Sequence, residues 1–300
     1  MSTATLQSRA PLAPKRQLTA AGVRRRIGRV LLDLLGILAA LVWLFPVYWM
    51  VLSAFTPNAR LRTTTPQFFP VHATLSNFSG VLEGTSFLSS LRMSLMITGL
   101  TVVLVLVFAF LAALAISRFR FRGRTSFVLA ILFIQMLPAE GLFIAQYRMM
   151  SQLGLLNSVI GISVLYTAAV IPFTVWMLRG FVAGVPAELE EAGMVDGLSR
   201  VGAFLRITLP LLAPGLVASG VYAFLQAWNE FTVALVILQS ESSYTLPIWL
   251  RSFLAASINQ GVNWGQVMAA STLLAVPVIV FFLFVQGRMT SGLVSGAVKG

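Results

Sequence analysis

Six long runs of apolar residues limit what this chain can fold into. A transmembrane helix needs about 20 consecutive, mainly apolar residues, and each run has roughly that length and almost no charge. The chain is 58% hydrophobic and 10% charged, far more apolar than a soluble globular protein. The runs lie at about Leu31–Ser53, Ser94–Ile116, Phe127–Tyr147, Ile160–Leu178, Leu211–Ile237 and Val267–Val285. The sequence therefore predicts an all-α, polytopic membrane protein with six transmembrane helices within residues 31–287.

The basic residues predict the orientation of these helices. The formal net charge is +12, and arginines gather before the first run, between the second and third runs, and after the last. These arginines include Arg24, Arg25, Arg26, Arg29, Arg118, Arg120, Arg122, Arg124 and Arg288. Cytoplasmic loops carry such an excess, so both termini are expected in the cytoplasm, with residues 1–30 a disordered basic tail and residues 288–300 a second tail. No nucleic-acid partner is expected, because that function needs basic charge on a soluble face. The expected partner of these arginines is the lipid bilayer.

Residues 185–210, between the fourth and fifth runs, are unusually polar and acidic. Four of the nine acidic residues of the chain lie within Glu188–Asp196. Pro186 suits the first turn of a helix, and the glutamates after it favour the positive end of the helix dipole. Gly197 in an Asp-Gly pair indicates a turn, and Ser199 suits the N-cap of the next helix. The segment therefore predicts two short cytoplasmic helices around a turn.

The same segment resembles the EAA loop of ABC import permeases. That pattern is Glu-Ala-Ala, three residues, Gly, nine residues, Ile, one residue and Leu-Pro, and Gly193 here replaces the second alanine, at a cost to the helix of about 1 kcal/mol. Ala192 and Gly193 form a small-residue face that a partner can approach closely. In the family, the loop is the coupling helix that docks in a cleft on the ATP-hydrolysing subunit. The resemblance assigns this role to Glu191, Ala192, Gly193, Asp196, Gly197, Ile207, Leu209 and Pro210.

The resemblance extends to Asn229-Glu230-Phe231 and to the tail Ser291–Gly300, which are similar to carbohydrate-uptake permeases of the maltose and glycerol-phosphate type. It implies the type I ABC importer permease fold and a sugar-importing subunit in the bacterial cytoplasmic membrane. The implied partners are a second homologous permease, two ATP-binding subunits, an extracytoplasmic solute-binding protein and the sugar itself. ATP would be bound by the partner subunits, so this chain needs no cofactor of its own.

The sequence contains no motif for catalysis or ATP binding. A phosphate-binding loop needs Gly-Lys-Ser/Thr, whereas the two lysines, Lys15 and Lys299, follow a proline and a valine. There is no cysteine, and the one histidine, His72, lies in an external loop, so no metal site is expected. The chain is therefore predicted to be a transport subunit and not an enzyme.

Four polar or aromatic residues within the apolar runs are candidates for the solute path: Asn229, Glu230, Trp228 and Glu140. A charge in the hydrocarbon core costs about 2.5–3.5 kcal/mol, so its presence calls for a reason. Amide and carboxylate groups suit sugar hydroxyls, and an indole suits the face of a sugar ring. The alternative is that these residues hold the helices together through interhelical hydrogen bonds.

Two other functions stay open at this point. Permeases for non-sugar solutes such as polyamines share the docking loop. An ATP-independent secondary transporter would show inverted repeats or a cluster of ion-coupling carboxylates. The sequence has no evident repeat, and its candidate carboxylates Glu140 and Glu230 are isolated.

Overall fold

The computed structural model describes residues 20–63, 65–83 and 86–297, and no β-strand occurs among them. The helices are α1 (Ala20–Ala54), α2 (Asn58–Leu61), α3 (Ser76–Glu83), α4 (Phe87–Arg118), α5 (Arg124–Ile134), α6 (Phe143–Gln152), α7 (Val159–Gly184), α8 (Glu188–Val195), α9 (Arg200–Ala203), α10 (Leu209–Asn229), α11 (Thr232–Ile237), α12 (Leu246–Gln260) and α13 (Trp264–Ala297). Short 3-10 turns occupy Ala139–Leu142 and Glu241–Ser243, and a π-helical turn occupies Phe204–Thr208.

Five stretches of helix are long and apolar enough to cross a membrane. They are Gly28–Ala54, Phe87–Arg118, Val159–Gly184, Arg200–Asn229 and Trp264–Arg288. A shorter apolar stretch, Leu246–Ile258, lies within α12. The chain is thus an all-helical polytopic membrane protein, as the apolar runs predict.

The two ends of the chain differ in part from the expected tails. Residues 1–19 and 298–300 lie outside the described part of the chain. Within residues 1–30, helix α1 already begins at Ala20. At the other end, α13 continues to Ala297, past the expected end of the membrane domain at residue 287. By its internal contacts, the chain divides into the units Met1–Trp49 and Met50–Gly300.

The predicted third span, Phe127–Tyr147, is a broken helix and not a continuous one. Helix α5 ends at Ile134, and α6 begins only at Phe143. Pro138 lies between them, where it lacks the N–H for a helical hydrogen bond and disfavours helical geometry in the residue before it. Neither α5, with 11 residues, nor α6, with 10, reaches membrane length alone.

The predicted fifth span is also interrupted, at Glu230. Helix α10 ends at Asn229, and the short helix α11 starts at Thr232. The Glu230 carboxylate accepts the backbone N–H groups of Val233 at 2.7 Å and Ala234 at 3.0 Å, and so satisfies the free donors at the start of α11. Asn229 and Glu230 therefore lie at a helix junction and not inside a continuous span.

The core of the unit Met50–Gly300 is built mainly by α4, α7 and α10. Ala109 and Ala113 lie one turn apart on α4 and are fully buried, and such small residues let membrane helices approach closely. Gly215 of α10 makes a second close approach, because a β-carbon there would lie 2.5 Å from Cγ of Phe181 in α7. These contacts hold the ends of α4, α7 and α10 together beside residues 185–210.

Candidate coupling site

Residues 185–210 form the two short helices and the turn that their sequence predicts. Helix α8 carries its acidic residues in the first turn. Gly197 adopts a φ of +93°, a left-handed conformation that favours glycine. The Ser199 side chain accepts the Gly202 N–H at 3.1 Å, so it caps α9 as expected. The chain then passes through the π-helical turn directly into α10.

Gly193 faces the interior of this loop. Gly193 is buried, and a β-carbon added to this glycine would lie 2.5 Å from Ile207 Cδ1 and 3.6 Å from Ala203 Cβ. The glycine that departs from the EAA pattern therefore packs against the isoleucine of the same pattern. This corrects the expectation that Gly193 contributes to an outward small-residue face, whereas Ala192 is exposed.

The outer surface of the loop combines acidic and apolar side chains. Glu191 and Asp196 are exposed. Four apolar side chains are exposed beside them, and their exposed fractions are 36% for Met194, 88% for Val195, 67% for Val201 and 52% for Leu205. Exposed apolar patches with a charged rim are typical of surfaces that contact another protein or a membrane.

Three polar residues join the loop to the spans, and the sequence patterns did not single them out as a group. Arg118 ends α4, and its Nη2 lies 3.4 Å from Glu190 Oε1. The same Arg118 nitrogen donates to the Val185 carbonyl oxygen at 3.1 Å. Glu190 Oε1 also accepts the hydroxyl of Thr208 at 2.7 Å. We call Arg118, Glu190 and Thr208 the inner polar node.

A cleft of about 440 Å³ lies between α8, α9 and the end of α4. Its walls are mainly apolar, with charged groups from Arg118, Glu190, Glu191 and Arg200. The apolar lining residues are Leu114, Phe119, Ala187, Met194, Val201 and Phe204. Two members of the inner polar node, Arg118 and Glu190, therefore form part of the wall of an open cleft.

The residues expected along the solute path fall into different environments. Asn229 is exposed, and its Nδ2 donates to the Leu225 carbonyl oxygen of its own helix at 2.8 Å. Trp228 is only 1% exposed and stacks on Phe224, with ring centroids 5.7 Å apart. Successive residues of a helix point about 100° apart, so these neighbours face the surface and the core respectively.

The two candidate carboxylates also differ. Glu230 accepts the hydroxyl of Tyr166 at 2.6 Å in addition to the two backbone N–H groups of α11, so both of its oxygens have protein partners. Glu140 lies in the 3-10 turn of the broken third segment, and its side chain lies outside the described part of the chain. Among the described residues there is no group of three or more His, Cys, Asp or Glu that would hold a metal ion.

Five membrane-length helices with a helix-turn-helix between two of them place the chain among polytopic membrane proteins. Residues 105–293 match the family described as binding-protein-dependent transport system inner membrane component. The chain belongs to this family of ABC transporter permeases.

Similar proteins cover nearly the whole chain. The diacetylchitobiose uptake system permease of Streptomyces coelicolor is 41% identical over 277 residues, which cover 92% of this chain and 99% of that protein. The trehalose/maltose transport system permease of Thermococcus litoralis is 31% identical over 91% of this chain and 97% of that protein. A chain of a bacterial ABC transporter involved in the import of alginate has a similar structure, with a TM-score of 0.73, 26% identity and coverage of 93% of this chain and 99% of that chain.

The family assignment confirms several expectations. The chain is a multi-pass inner-membrane protein and a transport subunit. In an ABC transporter, ATP is bound by separate ATPase subunits, so a permease subunit needs no nucleotide site of its own. Membership also decides against an ATP-independent secondary transporter.

Proposed function

We propose that this permease subunit of a carbohydrate ABC importer carries an oligosaccharide across the inner membrane, driven by ATPase subunits that dock on residues 185–210. The carbohydrate class is supported by relatives whose names specify diacetylchitobiose and trehalose/maltose and by a structural relative that imports alginate. The observation that carries the docking role is the folded helix-turn-helix at 185–210, with its exposed acidic and apolar surface.

The residues of the EAA pattern take different parts in this docking element. Glu191, Ala192 and Asp196 are exposed and form the contact surface, and Gly197 makes the turn. Gly193 and Ile207 pack on each other and fix the angle between the two short helices. The remaining two residues of the pattern, Leu209 and Pro210, begin α10.

A charge reversal on the contact surface tests this role. The full transporter carrying Glu191→Lys is reconstituted in proteoliposomes with its binding protein, and ATP-driven uptake of labelled diacetylchitobiose and maltose is measured. Uptake is expected to be lost at normal abundance, because a like charge at a desolvated contact costs several kcal/mol. Glu83→Lys, the same change at an exposed glutamate in α3, is the matched control. Wild-type uptake by Glu191→Lys would refute the docking role.

The topology that we propose has six crossings, with the broken segment Arg124–Gln152 as the third. Together with the five long helices, it makes an even number, which places residues 1–30 and 288–300 on the same, cytoplasmic side. The grouping of arginines near these ends supports that side. A reporter that works only in the cytoplasm should be active after Gly300 and inactive after His72. The reverse pattern would overturn the topology.

The proposed complex contains a second homologous permease, two ATP-binding subunits and an external solute-binding protein. The family description, which specifies binding-protein-dependent transport, supports the last of these. Co-purification with a tagged copy of this chain, followed by intact-complex mass spectrometry, is expected to give one copy of this chain with two ATPase copies. Two copies of this chain in each complex would contradict the heterodimer of permeases.

Asn229 is the residue for which we propose solute contact, because its side chain is exposed at the junction of α10 and α11. We propose Glu140, in the break of the third segment, as a second residue that contacts the solute. Trp228 and Glu230 instead hold this junction in place. Trp228 packs in the core, and Glu230 accepts hydrogen bonds from the start of α11. Asn229→Ala is expected to raise the half-saturation concentration about fivefold to 150-fold, the effect of about 1–3 kcal/mol for one unpaired partner.

The matched control for that experiment is Gln286→Ala in α13, because Gln286 also donates to a carbonyl of its own helix. Uptake is normalised to the amount of assembled complex. An unchanged half-saturation concentration with less assembled complex would identify Asn229 as a packing residue.

A further inference from the structure

The inner polar node connects one coupling helix to the ends of three spans. Arg118 is the last residue of α4, and Val185 directly follows α7. Thr208 directly precedes α10 and is fully buried. Glu190 belongs to α8 and bonds both Arg118 and Thr208 through one carboxylate oxygen. The node therefore links α8 to the adjoining ends of all three helices.

The ion pair in this node is suited to a moving connection. The side chains of Arg118 and Glu190 are 22% and 21% exposed, and both line the open cleft. Ion pairs that water can reach contribute only about 0–1 kcal/mol to stability, and even buried pairs are weak evidence for stabilisation. The pair is thus poorly explained as a device for stability alone. Its position between the docking helix and the spans indicates another role.

Helix α8 also has an apolar connection to the rest of the loop. Gly193 packs on Ile207 and Ala203, which holds α8 to the segment that leads into α10. Arg118 adds the connection to α4 and to the end of α7. The apolar contact therefore reaches only the segment that leads into α10, whereas the polar node also reaches α4 and the end of α7.

We propose that Arg118, Glu190 and Thr208 are positioning residues for energy coupling, which pass the displacement of α8 to the inner ends of α4, α7 and α10. This inference rests on the proposed docking of the ATPase subunits at residues 185–210. Loss of these three residues disconnects hydrolysis from transport while the docking surface around Glu191 stays intact.

The test measures solute molecules imported per ATP hydrolysed by the whole transporter in proteoliposomes. Arg118→Gln, Glu190→Gln and the double variant are compared, with Thr208→Val as a change of nearly constant shape. Solute per ATP is expected to fall about twofold to thirtyfold, the range for residues in coupling networks, while ATP hydrolysis stimulated by the loaded binding protein persists. The double variant should lose no more than the stronger single variant, because both changes break one connection.

Arg120→Gln is the matched control, because it removes the same charge from an exposed position two residues further along. Its solute per ATP is expected to equal that of wild type. An unchanged ratio in Arg118→Gln and Glu190→Gln would overturn the inference, and so would an equal fall in Arg120→Gln. A fall only in the amount of assembled complex, with a normal ratio, would also refute it. Absence of ATP-driven oligosaccharide uptake by wild type would instead refute the proposed function.

Discussion

Replacement of Gly215 by alanine is expected to destabilise the contact between α7 and α10. The new β-carbon would lie 2.5 Å from Cγ, 2.8 Å from Cδ2 and 2.8 Å from Cβ of Phe181. A phenylalanine Cβ is fixed to the backbone, so a new rotamer cannot remove this overlap and α7 itself must move. Overpacking of this kind costs about 1–3 kcal/mol. The gain in helix propensity from Gly to Ala, about 0.8–1.0 kcal/mol, offsets part of that cost.

Gly220→Ala in the same helix isolates the steric part. A β-carbon on Gly220 would meet only Leu106 Cδ1 at 3.5 Å, an ordinary contact, so this variant has the propensity gain alone. Gly215→Ala should therefore be less stable than Gly220→Ala by about 1–3 kcal/mol. The free energy of unfolding of the purified complex is measured by titration with sodium dodecyl sulfate in mixed micelles. Equal free energies for the two variants would refute the close packing of α7 on α10.

Three further changes have defined outcomes. Ser199→Ala should lower the stability of α9 by about 1 kcal/mol through loss of its N-cap, seen as roughly fivefold faster amide hydrogen exchange there; unchanged exchange would contradict the cap. Asn77→Ala removes two bonds of 2.9 Å from its Nδ2 to the carbonyl oxygens of Ala54 and Thr56, and should lower the free energy of unfolding by about 1–3 kcal/mol; thermal unfolding checks it against Ser79→Ala. Tyr166→Phe should cost about 0.6–2 kcal/mol and leave the half-saturation concentration for solute unchanged, whereas a changed concentration would place Tyr166 in the solute path.

The local signals of the coupling loop were sufficient to predict its form. Gly197 and Ser199 act through their own backbone and the next few residues, so a turn and a cap can be read from a short stretch of sequence. The inner polar node was not predictable in this way. Arg118 and Glu190 are far apart in the chain, and only the packing of α4 on α7 brings them together.

Run length predicted the membrane helices but not their interruptions. Pro172 and Pro277 lie inside continuous helices, whereas Pro138 lies in a break, and their local sequences did not distinguish these outcomes. At Glu230 the reason for the break is a side chain that satisfies the N–H groups of α11. Hydropathy carries no information about such bonds, because it counts only how apolar each residue is.

Because of the π-helical turn at Phe204–Thr208, the spacing of the EAA pattern determines the direction of a side chain around the helix axis. A π turn holds one residue more than the equivalent α turn, and each residue of a helix adds a rotation of about 100°. Deletion of Leu205 would therefore rotate Ile207 by about that angle relative to α9, away from Gly193. The nine residues between Gly197 and Ile207 set the direction in which the isoleucine points. A change of length in this interval therefore acts as a change of rotational phase between α8 and α10.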